Sequence, residues 1–278
     1  MYKIGDFIFE LNVDEKLISN HIKKFAVSNM QPNYYYDIQI VDEIKITDTN
    51  FIAQNQKVKV VQNNNLEKRY LSFDYDPIPY ALYEEVDELH AKILVHKNYL
   101  KHFNPEVEPM FISLLALERH LYPLHSYILH SAYMIKDNEA ILFTAPSGTG
   151  KSTQADLWVK YRNARVINGD RSLLMQKEED FTVHGFPVCG SSEICFNESY
   201  PIKAIVILSQ GKENVISKPD KNEVIKKLFR EITINYHDTT FFDSALSFIE
   251  DLYDHIPIYS LQCDISENAV LCLEKVLN

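Results

Sequence analysis

The sequence predicts an α/β protein: a mixed central sheet flanked by helices, preceded by a smaller, mostly antiparallel β-rich region. Three observations carry that prediction. Residues 126–135 and 140–144 are apolar runs joined through Asp137-Asn138, the pattern of a β-hairpin. The second run ends in Ala145-Pro146-Ser147-Gly148-Thr149-Gly150-Lys151-Ser152-Thr153, and a stretch with helical character, 154–160, follows. Before residue 100, short segments of alternating polarity recur between Asn-, Asp- and Pro-containing breaks.

At 278 residues the chain accommodates one large domain or two of ordinary size. We place the division at 1–105 and 106–278. In the first part, strands are expected over 7–11, 36–41, 57–61, 70–73 and 91–95. Tyr34-Tyr35-Tyr36 offers a stacking platform, but it reads better as aromatics of a strand edge or core. Pro105 ends this region. Met110, Leu114, Leu117 and Leu121 then fall at helical spacing, so a helix is expected over 106–121.

The hairpin places an antiparallel partner immediately before the glycine-bearing loop. Common phosphate-loop enzymes instead run from their first strand straight into a parallel βαβ unit, so a mixed sheet is expected here. Further strands are expected at 165–168, 181–184, 204–209 and 258–263, with helices at 222–232, 243–253 and 267–277. The run 204–209 has the apolar continuity of a fully buried strand and carries no acid at its end. Residues 185–193 form a second small-residue turn that either lines a substrate entrance or merely connects.

The net charge of −11 argues against a general binder of nucleic acid or anionic membranes. No apolar stretch approaches membrane-spanning length, and Met1-Tyr2-Lys3-Ile4-Gly5-Asp6 lacks a signal-peptide pattern, so a cytoplasmic location is expected. Cysteines 189, 195, 263 and 272 form no Cys-x-x-Cys pair and read as buried thiols.

The segment 145–153 has the composition of a phosphate-binding loop between strand and helix. Gly148 and Gly150 let successive N–H groups turn inward, and the helix that follows adds its positive end. Ser147, Gly148, Thr149, Gly150, Lys151, Ser152 and Thr153 are the candidate nucleotide contacts. Lys151 would reach the β- and γ-phosphates of ATP, and the Ser152 hydroxyl would ligate Mg²⁺. The usual pattern opens with Gly where this chain has Ala145, a small change in side-chain size. Asp170, at the end of the 165–168 strand, is a candidate for holding Mg²⁺ or accepting a substrate proton, and Arg171 for bridging phosphates.

Residues 130–170 resemble the C-terminal catalytic domain of HPr kinase/phosphorylase, and more closely the HPr-kinase-related kinases of bacterial gene clusters. Leu129-His130-Ser131-Ala132 matches the strand histidine of that superfamily, and Asn168-Gly169-Asp170-Arg171 its acidic motif. Gly185-Phe186-Pro187 with Gly190-Ser191-Ser192, and the ending 256–263, are similar to segments of the same relatives. The resemblance spans about 125–278 in ordered pieces. It implies a mixed sheet, Mg·ATP as donor and transfer of the γ-phosphate to a hydroxyl, with a serine of a protein or peptide as first acceptor. Asp170, His130 and Lys151 are then the catalytic candidates, and Ser152 and Asp170 the metal ligands. HPr kinases carry paired aspartates at this motif; this chain has Gly169-Asp170, so one acid serves both roles or phosphorolysis is lost. Related kinases form oligomers, so a homo-oligomer is compatible with the resemblance. A small-molecule kinase and a non-catalytic ATP-binding switch are the alternatives.

Overall fold

The computed structural model describes residues 1–100 and 110–277. The chain divides into two compact units, Met1–His120 and Leu121–Asn278. The boundary expected at 105/106, and the first turn of the helix expected over 106–121, lie outside the described residues.

The first unit holds one sheet of eight strands: β1 (Tyr2–Ile4), β2 (Phe7–Asn12), β3 (Tyr34–Val41), β4 (Ala53–Gln54), β5 (Val58–Asn63), β6 (Leu66–Phe73), β7 (Asp76–Glu85) and β8 (His90–His96). Its order is β1-β2-β3-β8-β7-β6-β5-β4. The β2–β3 and β3–β8 pairs are parallel and the other pairs antiparallel. Alternation buries Tyr34 and Tyr36 on one face, while Tyr35 stacks on His90 at 4.8 Å on the other. The tyrosine triplet is therefore split between core and surface.

Among the described residues, three α-helices accompany this sheet: α1 (Asn20–Lys23), α2 (Met110–Leu115) and α3 (Leu117–Leu121). The single helix expected from spacing is broken at Ala116, whose φ of 48° is left-handed and ends α2. Polar groups of α3 are tied into the sheet by charge. Arg69 reaches Glu118 at 2.7 Å, and Arg119 reaches Glu85 at 2.6 Å. Tyr83 meets the His120 ring nitrogen at 2.9 Å. Burial holds His120 down to about 3, the positive Arg119 and Arg69 adding to the effect.

The second unit begins with β9 (Ser126–Lys136) and β10 (Glu139–Thr144), followed by α4 (Lys151–Arg162) and β11 (Arg165–Asn168). Next come β12 (Arg171–Lys177), β13 (Asp180–Gly185), β14 (Ser199–Gln210) and β15 (Val215–Ser217). Helices α5 (Lys221–Glu231) and α6 (Thr239–His255), strand β16 (Ile258–Cys263) and helix α7 (Glu267–Leu277) complete it. The hairpin is formed as expected. Asp137 and Asn138 both adopt positive φ (54° and 65°), the geometry of the two-residue turn that matches strand twist.

The sheet is mixed because β9 and β14 each serve two neighbourhoods. Residues 126–130 of β9 pair with β12, and residues 131–136 pair with β10. Likewise β14 pairs with β13 through 199–201, and runs parallel to β10 and β16 farther along. Alternate residues of β10 and β14 enter opposite cores. Leu142 and Ile205 pack with Val224 and Leu228 of α5 and Phe241 and Phe248 of α6. Phe143 and Val206 pack with Trp158 of α4 and Leu273 of α7. A sheet covered on both faces needs apolar residues without alternation, which is why 204–208 read as one buried run. Among the described residues, no helix is long and apolar enough to cross a membrane.

Candidate functional site

The site lies at the carboxyl end of β10, where the parallel centre of the sheet releases the chain into the glycine loop. The turn at Asp137-Asn138 fixes the β9–β10 register, pairing Thr144 with Ser131. The Thr144 hydroxyl donates to the His130 carbonyl at 3.0 Å. The loop therefore starts beside His130.

Gly148 and Gly150 have φ values of 79° and 109°, which disfavour any residue with a Cβ. The space before them is open: a Cβ at either position would meet nothing within 4 Å. Gly150 caps α4, so the first free N–H groups of that helix face the loop. Ser147, Gly148, Ser152 and Thr153 are exposed, Thr149 and Gly150 half-buried, and Lys151 buried. Lys151 Nζ donates to the Ala145 carbonyl at 2.9 Å. Burial pushes its pKa below the usual range, with Asp170 and Glu231 pulling the other way. This cradle of open glycines, helix end and lysine fits a phosphate chain.

The Ser152 hydroxyl donates to the Gly169 carbonyl at 3.3 Å, tying the head of α4 to the turn that carries Asp170. That turn is built on Asn168, which is fully buried. Its side-chain oxygen accepts from the backbone N–H groups of Asp170 and Arg171, both at 3.0 Å, and its amide donates to Phe186 O at 2.6 Å. Ser131 N–H holds the Asp170 carbonyl at 3.0 Å. Glycine is required at 169 by crowding: a Cβ there would come within 1.9 Å of Ser192 Oγ. The 185–193 turn thus packs against the acidic motif, and Gly190 lies beside the Asp170 side chain. Ser152 and Asp170 offer the hard oxygen donors that suit Mg²⁺.

His130 lies where β9 passes from pairing with β12 to pairing with β10, opposite Arg171 in register. Its Nε2 stands 3.5 Å from Asp170 Oδ1, and its Nδ1 2.8 Å from Glu231 Oε2. Burial disfavours the imidazolium, but hydrogen bonds to Asp170 and Glu231 outweigh it and raise the His130 pKa; Lys151 opposes them. The site therefore joins His130, Asp170 and Glu231 beside the buried Lys151. Arg171 is also drawn in, its pKa lowered by burial while Glu231 acts to raise it.

Glu231 was not singled out from the sequence. It ends α5, immediately before the chain bridges back to β9 at Ile232–Leu129, and no spacing links it to a partner 101 residues earlier. Gln210 was missed as well. Its amide donates to Gly148 O at 3.1 Å and Thr149 O at 3.4 Å, bracing the loop from the end of β14. Beside it opens a pocket of about 380 Å³, lined by Gly150, Thr153, Gln154, Gly211, Asp264 and Ile265 among others. A pocket continuous with a phosphate cradle is where a nucleoside would sit.

No curated protein matches the chain. A solved structure to which it is similar is the HPr(Ser) kinase/phosphatase from Coxiella burnetii, at 11% identity and a TM-score of 0.31. That match covers 54% of this chain and 87% of the other. Residues 101–278 match a family model described as "SynChlorMet cassette protein ScmC", and the chain belongs to that family.

Proposed function

We propose that the chain is a Mg·ATP-dependent kinase that transfers the γ-phosphate to a hydroxyl, with a serine of a protein or peptide as its acceptor. The observation that carries this reading is the convergence of Lys151, Ser152, Asp170 and His130 on one loop mouth. Mg·ATP would supply a γ-phosphate whose charge the cation partly neutralises. The N–H groups of 147–153 would bind phosphate oxygens, and Lys151 would neutralise charge on the transferring group. Ser152 and Asp170 would hold the metal. Asp170 would accept the proton of the acceptor hydroxyl at a carboxylate oxygen as the bond to the bridging oxygen breaks and ADP leaves, and His130, 3.5 Å from that carboxylate, fixes its orientation.

Calorimetric titration with ATP tests the binding half of this reading. Binding strengthened by Mg²⁺, and weakened roughly 10–100-fold by Lys151→Ala, is expected. Equal affinity in the variant contradicts the loop assignment.

A further inference from the structure

Glu231 occupies a place that stability alone does not favour. It is the last residue of α5, where the helix macrodipole repels an anion and favours a cation. Its side chain is only 12% exposed, so it is also largely withdrawn from water. What offsets this is His130 at 2.8 Å, together with the field of Arg171. The same contact determines how His130 can act. With Nδ1 donating to Glu231, the ring is turned so that Nε2 faces Asp170. The bond enters from a different element, α5, so neither β9 nor the 168–171 turn fixes the ring unaided.

We infer that Glu231 is a positioning residue of the transfer site, holding the His130 ring against Asp170. The inference rests on the kinase reading and names the residue that keeps its acid–histidine pair in register. An anion half-buried at its own helix end exchanges stability for alignment, a trade found at functional sites. Glu231→Gln keeps the shape but replaces the charged acceptor of the Nδ1 proton with a weaker neutral amide, so the ring is held less firmly, and it removes the charge that the helix end opposes.

The test compares wild type, Glu231→Gln, His130→Asn and the double variant. Turnover of γ-labelled ATP with Mg²⁺ is followed in heat-treated extract of the source cells as acceptor pool, beside ATP affinity and thermal midpoint. Glu231→Gln is expected to lower kcat roughly 10–100-fold. ATP affinity should stay within twofold, with the thermal midpoint unchanged or raised. In the His130→Asn background the second substitution should cost nothing further, because Glu231 acts through that ring. Wild-type turnover in Glu231→Gln, additive losses in the double variant, or a loss that tracks a lowered thermal midpoint would overturn the inference and leave the kinase reading standing. A wild-type chain that binds ATP and labels nothing removes the kinase reading and the inference with it.

Discussion

Asn168 shows how one buried side chain sets a reacting group. It has no exposed surface and satisfies the N–H groups of Asp170 and Arg171 and the carbonyl of Phe186. Replacing it with Ala strands those groups, each costing about 1–3 kcal/mol when buried. Asn168→Ala should therefore lower stability by at least about 3 kcal/mol in a urea titration, and lower phosphate transfer more than ATP affinity. Asp170→Asn separates the two roles differently. The amide cannot take the acceptor proton, so transfer should fall at least 100-fold while the thermal midpoint stays near wild type. Retained transfer would assign the proton to another group.

At the scale of elements, the β9–β10 hairpin is the device that brings His130 to the phosphate loop. Its turn places Asn138 at a φ of 65°, which glycine accepts without the penalty that a β-branched residue meets. Asn138→Gly should raise the thermal midpoint slightly, and Asn138→Val should lower stability by about 1–2 kcal/mol. The hairpin, the glycine loop and the flanking strand and helix were legible in the sequence because each depends on neighbours in the chain. Turn residues, apolar runs and glycine spacing are local signals. Strand β7 was not legible, since Asp76-Pro77-Ile78-Pro79 reads as a break and only pairing with β6 and β8 makes it a strand. Strand β12 was hidden by its short polar flanks and revealed by β9 and β13. Glu231 and Gln210 belong to the same class: their roles arise from contacts with β9 and the loop that no sequence spacing encodes.

For the whole molecule, the loss of stability in mild acid, above the carboxylate range, should reside in the first unit. Burial holds His120 near 3, against an ordinary value of 6.5. Between those values the unfolded chain binds a proton that the folded chain refuses. The stability His120 contributes as a neutral ring is complete above about pH 6.5 and is lost as the pH falls toward 3, by at most about 1.4 kcal/mol per pH unit. Urea titrations of wild type and His120→Gln at pH 7 and pH 5 check this. The wild type should lose more stability than the variant over that interval, and parallel losses would place the sensitivity elsewhere.

The most direct test of the kinase reading uses the purified chain, Mg²⁺, γ-labelled ATP and heat-treated extract of the source cells, with Lys151→Ala beside it. Label should appear in a protein or peptide band and be absent from the variant. Label in a small metabolite would keep the kinase and change its acceptor class. ATP bound with no label transferred to either fraction would contradict the account and make the chain a nucleotide-binding switch.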